Sequence, residues 1–242
     1  MRNALTIARR EVGTYFTSPL IWILATAFLV FSGLIFALYI SQPGAEASMA
    51  PLLGLYGTVL LFVTPMISMR LLAEEQRSGT LELLMTSPLN DWQLVLGKWL
   101  GGLTALLGLV ALTLIHVGIM ARLATNGMAT GILLGNYLGL VLLAASLLAL
   151  GVLTSSLTES QVVAGFLGIM LVMILWFLPI LGEAPSAADN PILQALAYLG
   201  LSDHYLNFGQ GVIDSRDVIY FLTITIGSLF LATRIIETRR WR

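Results

Sequence analysis

The sequence predicts an all-α polytopic membrane protein, six transmembrane helices preceded by an N-terminal interfacial helix. Three observations predict it. Of 242 residues, 57% are hydrophobic and only 10% are charged, against about 25% charged in a soluble domain. No Asp, Glu, Lys or Arg falls within 12–45, 47–69, 99–121, 123–158 or 160–182, and each run can supply the roughly 20 apolar residues that cross a hydrocarbon core. Finally, the basic residues collect on alternate connections, as cytoplasmic loops of membrane proteins do.

The first element is the amphipathic segment 2–18. Leu5, Ala8, Val12 and Tyr15 or Phe16 fall at helical spacing, while Arg2, Thr6, Arg9 and Gly13 lie elsewhere around the wheel. Such a helix lies in the interface plane, and Ser18-Pro19 ends it. The long apolar run that follows lacks a small-x-small cleavage site and reads as a retained anchor. Spans are expected at 20–40, 50–70, 99–121, 132–154, 161–181 and 217–235. Thr125-Asn126-Gly127 and Gly131 suggest a tight loop before the fourth span. Ser155 to Glu159 form a short turn after it, with Glu159 solvated at a helix start. The last span is the least hydrophobic, and Arg234 must snorkel toward the interface.

If both termini are cytoplasmic, that side holds 10 of the 12 Lys and Arg residues, leaving Arg122 and Arg216 outside. The positive-inside rule then turns the 70–98 hairpin to the cytoplasm. The outer side receives 182–216, in which Ile192 to Leu201 is apolar but too short to span. It suits a re-entrant or interfacial helix started by Asn190-Pro191 and ended near Gly200. Tyr198, His204, Tyr205 and Phe208 are expected at headgroup level.

Several chemistries find little support. With a net charge of −1 there is no basic field for nucleic acid, and without Cys there are no disulfides or thiolate metal sites. Leu96-Gly97-Lys98-Trp99 has Trp92 where a phosphate loop needs its first Gly, and Trp99 where it needs Ser or Thr. His116 lies inside the third span, where a neutral, hydrogen-bonded packing role outweighs proton or metal chemistry. Asp203-His204 reads as a cap and interface pair, because no third metal ligand is evident. Gly97/Gly101 and Gly131/Gly135/Gly139 allow close helix contact, either within the chain or at a homodimer seam. No catalytic residue and no metal site is assigned.

The 70–98 hairpin carries seven of the 25 charged residues: Arg70, Glu74, Glu75, Arg77, Glu82, Asp91 and Lys98. Arg70 to Arg77 continues as a polar helix, and Ser78-Gly79 breaks it. Thr80 can cap a short helix, T-L-E-L-L-M, with Leu81, Leu84 and Met85 on one side, and Ser87-Pro88 stops that helix. Asn90 with Gln93 forms a capping-box pattern for the next helix. The short element is therefore a lever between two membrane helices, able to sit in a groove of a soluble partner.

The stretch E-E-Q-R-S-G-T-L-E-L-L-M-T-S-P followed by L-V-L-G-K resembles the signature between spans two and three of ABC-2-type transporter permeases. The N-terminal A-R-R-E-V-x-x-Y-F-x-S-P resembles the elbow helix of that family, with Arg9, Arg10 and Glu11 at its centre. The region L-S-D-H-Y-L-N-F-G-Q-G-V-I-D-S-R-D-V-I-Y-F-L with E-T-R-R-W resembles the gliding-motility-associated permease subgroup. The resemblance implies a single transmembrane permease domain over 1–242, in a multi-pass protein of the bacterial inner membrane. It implies a permease paired with a second copy or similar subunit and with two separate ABC ATPase subunits. ATP and Mg2+ would be bound there and no cofactor by this chain. Glu74, Glu75, Arg77, Gly79, Thr80, Leu81, Leu84, Ser87 and Pro88 would engage the ATPase, and the subgroup often implies an auxiliary extracytoplasmic protein. ATP hydrolysis would drive export or force transmission. The alternatives are an intramembrane enzyme built on His116 with Asp203 or His204, and a non-transporting membrane scaffold.

Overall fold

The computed structural model describes residues 2–42, 48–80, 90–124, 129–183 and 190–239. The described residues form helices and turns, with no strand among them. In order these are α1 (Arg2–Thr17), α2 (Pro19–Ile40), α3 (Ala50–Ser68) and α4 (Ala73–Arg77). After the hairpin come α5 (Asp91–Leu112), α6 (Leu114–Leu123), α7 (Thr130–Leu157) and α8 (Gln161–Phe177). The chain closes with α9 (Ile180–Glu183), α10 (Pro191–Tyr198), α11 (Leu201–Gly209) and α12 (Ser215–Arg239). Six stretches are long and apolar enough to cross a membrane: Pro19–Ile40, Ala50–Arg77, Asp91–Leu123, Thr130–Leu157, Gln161–Glu183 and Ser215–Thr238. They coincide with the six expected spans.

Helix α7 is the hub. It is apolar on all sides, and a helix of that kind belongs in an interior. Leu140, Leu143, Ala144, Leu147, Leu148 and Val152 are fully buried, and α3, α5, α8, α11 and α12 pack around it. Helix α2 is the opposite case: Trp22, Ile23, Val30, Phe31, Leu34 and Leu38 remain exposed along its outer side. That is the surface a lipid-facing helix presents.

The elbow helix forms as expected, and extended Ser18 followed by Pro19 turns the chain into α2. Its buried face differs from the expected stripe. Ala4, Ala8 and Tyr15 are buried, whereas Leu5 is 63% and Phe16 56% exposed. The reason is its seat on α5. A Cβ at Gly97 would lie 2.8 Å from the Ala4 carbonyl oxygen and from Ile7 Cβ, and one at Gly101 would overlap Glu11 Cβ. Ala4, Ile7, Ala8 and the Glu11 stem fit against that glycine pair, which turns Leu5 and Phe16 outward. Gly97 and Gly101 thus serve contact within the chain. Gly139 does so too, since a Cβ there would strike the Phe208 ring at 2.6 Å.

Ser155 and Ser156 belong to α7 and are buried, not part of a turn. The break falls later, and Ser160 caps α8 by accepting a hydrogen bond from Val163 N–H. The expected loop residues Thr125-Asn126-Gly127 lie outside the described residues.

Candidate functional site

The hairpin is held at its base by a buried ion cluster. Lys98, two turns into α5, has a side chain 3% exposed. Its Nζ lies 2.7 Å from Glu11 Oε1 on α1 and 2.9 Å from Glu75 Oε1 on α4. Two carboxylates converge on one ammonium, so three elements distant in sequence share a single cation. Removing one partner of such a buried cluster leaves uncompensated charge, at a cost of about 3–5 kcal/mol.

The backbone explains the next set of contacts. Between α3 and α4 the chain turns, with Leu71 N–H bonding Ser68 O. That frees the Ile67 carbonyl, which accepts from the Tyr15 hydroxyl at 2.9 Å. Burial, reinforced by the Glu11 carboxylate, pushes the Tyr15 phenol well above its ordinary pKa, so it remains a donor. Ser155 Oγ repairs the remaining gap. It accepts from Leu72 and Ala73 N–H at 3.1 and 3.0 Å and donates to Met69 O at 3.1 Å. Gln76 Nε2 adds a bond to Ser156 O at 3.2 Å. Arg70 pairs with Glu74 at 3.1 Å, donates to Ser18 Oγ at 2.8 Å and lies over the Tyr15 ring.

Beyond this base α4 turns outward. Gly79 has φ +69°, the left-handed conformation that glycine adopts at a helix end. Thr80 Oγ1 lies 2.8 Å from Ser78 Oγ and 3.4 Å from the Glu75 carbonyl, so its side chain turns back on α4. Glu74, Arg77 and Thr80 are exposed, whereas Glu75 is committed to Lys98. Leu81, Leu84, Ser87 and Pro88 lie outside the described residues. The capping box does not form. Asn90 is the N-cap without a side-chain cap bond, and Gln93 Oε1 instead accepts from Asn3 of the elbow at 3.3 Å.

Arg10 and Glu11 join Glu75, Thr80 and Lys98 around a polar cleft of about 190 Å³ between elbow and hairpin. Arg9 is exposed, on the side of α1 away from α5. No local pattern in the sequence pairs Lys98 with Glu11 and Glu75, or gives Tyr15, Gln76 and Ser155 the partners they have. One signal was present: Lys98 directly follows Gly97, which lets α1 approach closely enough for Glu11 to reach it.

At the opposite end, Asn190 caps α10 and Pro191 is its first residue, as expected. Gly200 opens a second helix, α11, where the sequence suggested only an end. His204, Tyr205 and Phe208 are buried there, and only Tyr198 is exposed. His204 bonds Asp217 at 2.6 Å and the Tyr198 carbonyl at 3.0 Å, so its acidic partner is Asp217 and not Asp203. Asn207 donates to the second Asp217 oxygen at 3.0 Å, and Tyr220 stacks on the imidazole at 3.9 Å. The Tyr205 hydroxyl donates to Leu53 O at 2.6 Å. His204, Tyr205 and Phe208 are thus taken up by the protein's own packing, and Gly57 and Gly139 offer the niches that hold the Tyr205 and Phe208 rings.

His116 rests among Tyr56 and Phe36, with its Nδ1 3.4 Å from the Tyr56 hydroxyl. These contacts suit packing. Among the described residues, no three His, Asp or Glu side chains gather as a metal site would require.

Six membrane-length helices, a preceding amphipathic helix and a polar hairpin tied to them define a polytopic helical membrane protein. The family model for ABC-2 family transporter proteins matches residues 40–232, most of the chain and all of the hairpin. The chain belongs to this family. It is a multi-pass membrane permease subunit of an ABC transporter, a class that works with ABC ATPase subunits. No curated protein matches the chain.

Proposed function

We propose that this permease receives ATP-driven motion from two separate ATPase subunits through the 70–98 hairpin and passes it to its membrane helices. The observation that carries this reading is the Lys98 cluster, which joins the hairpin, the elbow and the start of the third span. A push on α4 is carried directly into α1 and α5. Glu74, Arg77, Gly79 and Thr80 form the near side of the contact, and Leu81, Leu84 and Ser87-Pro88 the far side. Mg2+ and ATP are bound and ATP hydrolysed by the partners, and the chain itself holds no cofactor. Its output is export or force transmission.

In this reading the hairpin and both termini face the cytoplasm of a bacterium, and the protein sits in the inner membrane beside a second permease copy or similar subunit. The α10–α11 segment closes the outer side and meets an auxiliary extracytoplasmic protein. The sequence of that segment and the Arg-rich end support a reading of the chain as one of the gliding-motility-associated permeases.

The test is co-purification with the cognate ATPase. Leu84→Asp puts a charge on the lever's apolar side. Gly79→Pro imposes a negative φ where the chain has +69°. Both are expected to abolish co-purification while the permease still folds and inserts. Retained binding in both variants overturns the contact.

A further inference from the structure

The groove between the start of α5 and the end of α12 takes no part in the contacts described above. Trp92 and Leu96 line one wall and Ile226 and Phe230 the other, around a volume of about 430 Å³, with Arg234 and Glu237 also lining it. Helix α5 begins at the hairpin and α12 ends on the same side of the membrane, so Trp92 lies at the charged mouth of the groove and Ile226 deeper. Trp92 is 44% and Phe230 55% exposed. A large aromatic at the mouth of an apolar trough is the pattern of a membrane interface.

We propose that this groove holds an acyl chain of an anionic phospholipid, with the headgroup phosphate on Arg234. Arg234 Nη1 bonds Glu237 at 2.6 Å, and its guanidinium lies 5.0 Å from the Phe230 ring centre. The other donors of the fork have no protein acceptor among the described residues, and a phosphate offers paired oxygens that match them. Beyond Glu237 the sequence adds Arg239, Arg240 and Arg242, so this end of α12 carries a positive field that favours an anionic over a zwitterionic head. A phospholipid answers both halves of the site, apolar trough and cationic mouth. An apolar helix from a second copy fills the trough but brings no anion to the guanidinium, which it leaves to water. The site is independent of whether the hairpin binds an ATPase.

The test is native mass spectrometry of the full chain from micelles doped with equal phosphatidylglycerol and phosphatidylcholine of matched acyl chains. The wild type is expected to retain phosphatidylglycerol with a preference of about tenfold, equivalent to about 1.4 kcal/mol. Arg234→Gln is expected to bring that preference near unity, and Ile226→Trp, which fills the trough, to lower retention of both lipids. Glu237→Gln frees Arg234 and is expected to raise the preference, which keeps the proposal testable if Arg234→Gln fails to fold. Equal retention by the wild type, or unchanged retention in the Ile226→Trp and Glu237→Gln variants, overturns it. Because the chain has no Cys, Phe230→Cys introduces a lone thiol. A disulfide formed between two copies through it would show a dimer seam in place of a lipid site.

Discussion

The two ends of this permease are braced by buried charge in different ways. At the hairpin, Lys98 gathers Glu11 from 87 positions away and Glu75 from a third element. At the opposite end, Asp217 gathers His204 and Asn207 from only 13 and 10 positions away. The first arrangement is a clasp between elements that nothing in the local chain holds together. The second stiffens one continuous segment onto the start of its own span. A clasp of the first kind can pass movement from one element to another, whereas a local brace resists movement. The contrast fits a molecule driven at one end and closed at the other.

The sharpest way to break this comparison is Lys98→Met. It leaves Glu11 and Glu75 facing one another without a cation, and it is expected to destabilise the protein by about 3–5 kcal/mol, read as a loss in thermal unfolding temperature. It should also release the elbow, so that trypsin cuts faster at Arg9 and Arg10. Unchanged cleavage would mean that the cluster is not a clasp. Ser155→Ala comes next, because it strands the Leu72 and Ala73 N–H groups. The expected loss is about 1–3 kcal/mol in all, by the same melting measurement. His204→Ala sharpens the other side. Asp217 keeps Asn207 as a partner, so the expected loss is held to about 2 kcal/mol. Trypsin cleavage at the elbow should be unaffected, and faster cleavage there would refute the local character of the brace. Arg77→Ala is the mildest, within about 0.5 kcal/mol on stability for an exposed side chain. In the proposed function it nevertheless weakens capture of the ATPase.

Much of the frame was legible in the sequence, because lipid imposes a length and a polarity on every span. Ser18-Pro19 and Asn190-Pro191 marked helix boundaries through local backbone preferences, and both hold. What local patterns could not reveal was which surface waits for each side chain. The spacing of Leu5, Ala8 and Val12 is a sound amphipathic stripe. Yet the face that packs is chosen by a glycine pair about 90 residues later, and a helix between protein and lipid has apolar neighbours on both sides. Tyr205 and Phe208 have the composition of interface residues. Their burial depends on niches at Gly57 and Gly139, and the Asn90–Gln93 box was lost to a longer-range bond with Asn3. At the candidate site the charges were legible, but the contacts that Lys98, Tyr15 and Ser155 make across the chain were not.

Helix α3 is pinned through its own carbonyls at two heights, by the Tyr205 hydroxyl at Leu53 and by the Tyr15 hydroxyl at Ile67. The interval between them is close to four helical turns, or about 21 Å. This makes the helix a gauge of fixed length and phase. One residue inserted between the two carbonyls would swing one anchor about 100° away from the other, while the stretch would remain apolar and long enough to span. The second span can therefore exchange one apolar side chain for another far more freely than it can gain or lose a residue.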